Sequence, residues 1–107
     1  MAKNRKRKTI ETITQRVGAR NAYKVMMFVA SWGIFMRQEG RPPASVDEFA
    51  DWWKISRATA FRDQQLFRKA LPDAEDPTHL ITWIMEEDPS LLDGDAGAVA
   101  FWIGAAL

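Results

Sequence analysis

Residues 56–69, S-R-A-T-A-F-R-D-Q-Q-L-F-R-K, concentrate the side chains that have most to offer a partner. On a helix, Ala58, Arg62, Gln65 and Lys69 recur at i, i+4, i+7 and i+11 and share one face, flanked by Arg57, Phe61 and Arg68. Ala60, Gln64, Phe67 and Leu71 follow the other face, which is the one suited to a core. The chemistry of the polar face is hydrogen bonding to planar, multi-acceptor groups. An arginine fork matches the two acceptors on a guanine edge, a glutamine amide matches adenine, and an apolar group can meet a thymine methyl. Arg57, Ala58, Phe61, Arg62 and Gln65 are therefore candidate base-edge contacts. Ser56 and Thr59 at the helix start, with Lys54, Arg68 and Lys69, are candidate phosphate contacts. Bond-making chemistry has little to work with: there is no cysteine, His79 is the single histidine, and no Gly-rich phosphate loop or metal-ligand cluster occurs. The expectation is a binding protein without cofactor or metal, not an enzyme. D-G-D-A-G at Asp93 and Asp95 has the start of a calcium loop but lacks its third ligand and closing glutamate.

Such a face must be held by other elements, and the sequence predicts an all-α, five- to six-helix bundle. Ile10, Ile13 and Val17 give a first helical stripe, and Gly18 ends it. A longer helix is expected from about Asn21 to Gln38. It is apolar nearly all round, with Tyr23, Val25, Met27, Phe28, Ala30, Trp32, Ile34 and Phe35, as suits a central strut. Gly40 and the prolines of E-G-R-P-P-A close it. Ser45 and Glu48 form a capping box, followed by Val46, Phe49, Ala50 and Trp53 as a buried stripe. Trp52 falls beside that stripe and is expected to plug the edge next to the long helix. Ser56 is placed to cap the polar helix, which ends before Pro72. Asp76 and Pro77 then start a helix burying Leu80, Trp83 and Ile84, and the terminal A-V-A-F-W-I-G-A-A-L reads as a last apolar helix.

Helix, short turn, helix is the helix-turn-helix arrangement. Counted from Val46, small Ala50 stands at the fifth place, where the helices approach, and Phe49, Trp53 and Ile55 fill the apolar fourth, eighth and tenth places. Lys54 occupies the ninth, where glycine is usual. The stretch S-R-A-T-A-F-R-D-Q-Q-L-F-R resembles the second helix of DeoR-like bacterial helix-turn-helix regulators. Ser56, Arg57, Thr59, Arg62 and Asp63 match that pattern directly, and Ala60 and Phe61 stand for the usual valine and tyrosine. The resemblance covers residues 45–71 and implies a DNA-binding unit that puts helix 57–70 in the major groove. The family's β-wing and large effector domain have no counterpart here, so no small-molecule effector is inferred.

Charge gives a second, independent pointer. The net charge of +1 hides a division: residues 1–71 hold all 15 Lys and Arg against 6 acidic residues, and residues 72–107 hold 8 acidic residues and no Lys or Arg. The basic part suits a polyanion. Residues 1–8, M-A-K-N-R-K-R-K, are expected to be a flexible arm, either a solubilising tail or a DNA contact in which Lys3, Arg5, Lys6, Arg7 and Lys8 add phosphate contacts, ahead of one helical domain over 9–107. The uncharged apolar run Val25–Met36 is 12 residues, too short for a membrane span, and no secretion-signal core follows the basic arm. A cytoplasmic, nucleoid-associated protein of bacterial or phage type is the expectation. Phe101, Trp102 and Ile103 are the candidate contacts of a homodimer, because paired half-sites are read by paired copies. Two rival expectations are a helical protein-interaction module, using Trp83, Phe101 and Trp102, and a non-specific DNA-binding accessory factor.

Overall fold

The computed structural model describes residues 12–87, and every regular element among them is helical. Residues 12–17 form α1, which ends at Gly18 with φ 84° and ψ 161°. This is a backbone conformation that side chains with a Cβ rarely adopt, so the chain turns there and restarts as α2, Ala19–Glu39. α2 is the strut. From Val25 to Met36 every residue is buried except Met27 and Ser31, which are half-buried, so this part meets neighbours on all sides. Its first turns differ. Arg20, Tyr23 and Lys24 face solvent, with Tyr23 54% exposed, which corrects its expected place in the apolar surround. A tyrosine there can keep its hydroxyl in water while its ring covers apolar surface.

Gly40 ends α2 in the left-handed conformation and donates its N–H to Met36 O. After the two prolines, α3 runs Val46–Trp53 and α4 runs Arg57–Ala70. Ser45 Oγ accepts from Glu48 N at 3.1 Å, as the capping box requires. The return bond differs from expectation: Glu48 Oε1 accepts from Ala44 N at 2.8 Å, while both carboxylate oxygens also take the Arg41 guanidinium at 2.8 Å. That clamp closes the loop between α2 and α3 and holds the Glu48 carboxyl down to about 2, chiefly through the Arg41 hydrogen bonds and then through the Ala44 N–H. Arg41 also lies over the Phe35 ring, 5.5 Å from its centroid.

The core is centred on Phe28 of α2, whose ring lies 5.6 Å from Trp32, 5.3 Å from Phe49 of α3 and 6.0 Å from Phe67 of α4. One aromatic hub thus ties three helices together. Ala50 and Ala60, 2% and 0% exposed, let α3 and α4 approach closely. The neighbouring tryptophans take separate tasks. Trp53 is half-buried and donates Nε1–H to Ser31 O at 3.1 Å, while Trp52 packs on Phe35 and donates to Glu39 Oε1 at 2.7 Å. Each indole packs its half-buried ring against the core and still satisfies its N–H. Arg16 of α1 reaches Ala70 O at 2.7 Å and so caps the far end of α4.

α5, Thr78–Glu87, packs on α2, and Trp32 Nε1 reaches Thr78 Oγ1 at 3.2 Å. Asp76 Oδ1 accepts from Thr78 N at 2.8 Å, which starts the helix one residue later than Pro77. Ile81, fully buried, is the anchor where the sequence pointed to Leu80, which is half-buried. The side chains of Trp83 and Ile84 lie outside the described residues, as do Ile10, the basic arm and everything from residue 88. Among the described residues no helix is long and apolar enough to cross a membrane.

Candidate nucleic-acid interface

The geometry of the polar helix face is set by residues 54–56. Lys54 adopts φ 56° and ψ 43°, the left-handed conformation, and is the one non-glycine among the described residues with positive φ. Its N–H bonds to Asp51 O at 3.2 Å and the Ile55 N–H to Ala50 O at 3.0 Å. These paired bonds form a Schellman closure, which satisfies the last carbonyls of α3 and turns the chain. The conformation that the usual glycine would supply at this place is thus present with a lysine in it. Ile55 is 38% exposed instead of seated in the core as its apolar place suggested, because the turn lifts it to the rim.

Ser56 then caps α4: its Oγ accepts from Thr59 N at 3.1 Å and donates to Thr59 Oγ1 at 2.7 Å. Below the cap, the inward stripe is as the periodicity dictates. Ala60, Phe67 and Ala70 are buried completely, and Gln64 and Leu71 are half-buried. The other side is open. Arg57, Ala58, Phe61, Arg62 and Gln65, the candidate base contacts, are all exposed, Phe61 by 51%. Lys54, Ser56, Thr59, Arg68 and Lys69, the candidate phosphate contacts, are exposed as well. Lys3, Arg5, Lys6, Arg7 and Lys8, and the candidate dimer residues Phe101, Trp102 and Ile103, fall outside the described residues.

Several of these side chains are already engaged. Arg57 forms an ion pair with Asp47 of α3 through Nε, leaving most of the guanidinium in solvent. Arg62 Nε bends back to Ala58 O at 3.4 Å, a long bond that is easily given up. Arg68 Nε donates to Glu75 O at 3.2 Å, which pulls it toward the end of α4 and away from Arg57 and Arg62.

The outward face has two unlike flanks. Toward α3, an open groove of about 620 Å³ joins Phe61, Ala58 and Gln64 to Val46, with the Asp47–Arg57 pair on its rim. Toward α2, a groove of about 650 Å³ joins Arg62, Lys69 and Thr59 to Lys24, over Leu66 and Asp63. Asp63 is half-buried, and that burial raises its carboxyl above the usual value against the opposing pull of Lys24 and Arg62. No ion pair holds Asp63 to Lys69 or Arg62 among the described residues; Lys24, on the preceding long helix, is the cation that acts on it most. Lys24 is the residue that the sequence reading missed. Its signal was available, since Arg20 and Lys24 are spaced i, i+4 at the start of a helix otherwise read only for its apolar residues.

The class defined by these observations is an all-α protein that holds one amphipathic helix with its polar side outward. No family model matches the chain, and neither a curated protein nor a solved structure matches it.

Proposed function

We propose that the protein is a sequence-specific double-stranded DNA-binding regulator, a repressor by the commonest use of so small a unit, with α3, the turn and α4 acting as a helix-turn-helix. One observation carries this reading. α4 spends its inner side on the core and leaves Arg57, Ala58, Phe61, Arg62 and Gln65 exposed together, immediately after a left-handed turn at Lys54. An α-helix fits the major groove, and residues near its N-terminus reach base edges. In this reading Arg62 gives up its long bond to Ala58 O for a guanine edge, Gln65 pairs with adenine, and Ala58 or Phe61 meets a thymine methyl. Thr59, Lys54, Lys69 and the arm fix the register through phosphates, and Ser56 and Arg68 contribute on leaving Thr59 Oγ1 and Glu75 O. Two copies joined through residues 101–103 would read half-sites about 34 Å apart, or a multiple of that.

Selection of bound duplexes from a random pool tests the reading. An enriched motif with two-fold symmetry at one-turn spacing is the expected result. Arg62→Ala is expected to cost about 1–3 kcal/mol on the selected duplex and to relax one base position. No retardation of any duplex at low salt overturns the reading in favour of a protein-interaction module. Uniform retardation without enrichment overturns its sequence-specific part and leaves an accessory DNA-binding role.

A further inference from the structure

The two flanks of α4 are not equivalent, and their difference has a consequence for how a duplex would lie. Lys24, Arg62 and Lys69 put three cations around the α2-side cleft, against the single carboxylate of Asp63, which is half-buried at its base. Among the described residues the ammonium groups of Lys24 and Lys69 have no hydrogen bond or ion pair, so no short contact must be broken for either to be used, although Lys24 also attracts the Asp63 carboxylate. Thr59 adds a directed donor. Its Oγ1 accepts from Ser56 Oγ at 2.7 Å, which leaves its own hydroxyl proton for an outside acceptor. Leu66 makes part of the wall apolar, and low-dielectric walls strengthen the attraction between fixed cations and an anion. On the α3 side the Asp47 carboxylate sits on the rim and already holds Arg57, while Phe61, Val46 and Ala58 supply apolar surface. That side has its one cation neutralised by a carboxylate, so it offers a phosphate little and a methyl group an apolar seat.

We propose that the cleft between α2 and α4 is a phosphodiester-binding site. It seats the backbone of one DNA strand on Lys24, Lys69 and the Thr59 hydroxyl, so that the duplex docks with its phosphates on the α2 flank and base methyls toward α3. The inference rests on the DNA-binding reading of α4 and adds to it a contact from a helix outside the 45–71 unit. Arg62, on the cleft's lip, is left to turn toward the base edge.

The test is fluorescence anisotropy of the full chain on a pool-selected and on a random duplex, across a salt series from about 50 to about 200 mM. Lys24→Gln removes one phosphate contact. It is expected to reduce the slope of log affinity against log salt by about 0.9, and so to shrink the loss of affinity over that range by roughly 3.5-fold, equally on both duplexes. Lys24→Arg is expected to keep the wild-type slope. Arg37→Gln, at the other end of α2, is expected to leave it unchanged. Lys24 is exposed, so the urea midpoint of Lys24→Gln should match the wild type and show that folding is intact. If wild type binds and Lys24→Gln keeps its full slope, the cleft is wrong and the DNA reading stands. A loss confined to the selected duplex, with the slope intact, also overturns the cleft, since it makes Lys24 a base reader. If wild type binds neither duplex, both proposals fall together.

Discussion

Lys54 carries two demands at one residue. Its backbone is left-handed at φ 56°, which costs an L-residue roughly 1–2 kcal/mol relative to the right-handed region, and its ammonium stands exposed beside the start of α4. Glycine would relieve the first and abolish the second. Lys54→Gly is therefore expected to raise the free energy of unfolding by about 0.5–1 kcal/mol, part of the relief being offset by glycine's greater freedom in the unfolded chain. The same variant should weaken binding to every duplex and lower the salt slope by about 0.9, as loss of one phosphate contact does. Lys54→Gln separates the effects, because it keeps the strain and removes the charge. A denaturation series together with a salt series checks both halves. A Lys54→Gly protein less stable than wild type would show that the turn is held by something other than backbone preference. Asp63 poses the converse case, an acidic residue inside a basic cleft, raised above its ordinary value by burial. Its negative form works against a phosphate there, so Asp63→Asn is expected to tighten binding on selected and random duplexes alike.

At the scale of elements, the two sides of α4 give opposite expectations for the same substitution. Phe67 is fully buried against Phe28, so Phe67→Ala should cost about 3–5 kcal/mol of stability. Phe61 is 51% exposed, so Phe61→Ala should change stability by no more than about 0.5 kcal/mol while weakening the selected duplex. A large stability loss from Phe61→Ala would remove it from the interface. The join between α2 and α3 makes a separate expectation for pH. The Glu48 carboxyl is lowered from 4.5 to about 2 by Arg41, so its contribution is whole above about 4.5 and is lost as pH falls through about 2. The stability gap between wild type and Glu48→Gln should close over that window, as followed by acid titration at fixed urea. These elements were legible because their signals are local. Ser45 and Ser56 cap through bonds three residues away, Gly40 closes its own helix, and the stripes of α3 and α4 repeat within two turns. What was not legible depends on tertiary placement. Tyr23 and Ile55 are apolar by type yet lie outward, and Glu48 found Ala44 N and Arg41 instead of the expected Ser45 N–H. The α2-side cleft brings Lys24 beside Arg62 only because α2 packs along α4, which no spacing within either helix encodes.

For the whole molecule, the sign of the charge along the described residues changes at the end of α4. The basic helix closes at Ala70, and Asp73, Glu75 and Asp76 follow at once. Arg68 turns toward this acidic segment through its bond to Glu75 O, so among the described residues the cations that can meet a polyanion without giving up a bond to that segment include Lys69 and Lys24 at the cleft. A duplex lying across that face would meet repulsion if it extended past the helix end. Asp73 and Glu75 are both exposed and neither forms an ion pair among the described residues. At a separation on the order of 10 Å in water, each unit charge contributes roughly 0.4 kcal/mol, about a twofold effect on affinity. The double variant Asp73→Asn, Glu75→Gln is thus expected to bind a random duplex about fourfold more tightly at low salt and to lose that advantage near physiological salt, where the screening length is about 8 Å. On the selected duplex the gain should be the same in ratio, so that discrimination between sequences is unchanged. A gain larger on the selected duplex would mean that these carboxylates shape sequence choice. No gain on either would mean that the duplex does not approach this end of α4, and that its long axis runs toward the start of the helix instead.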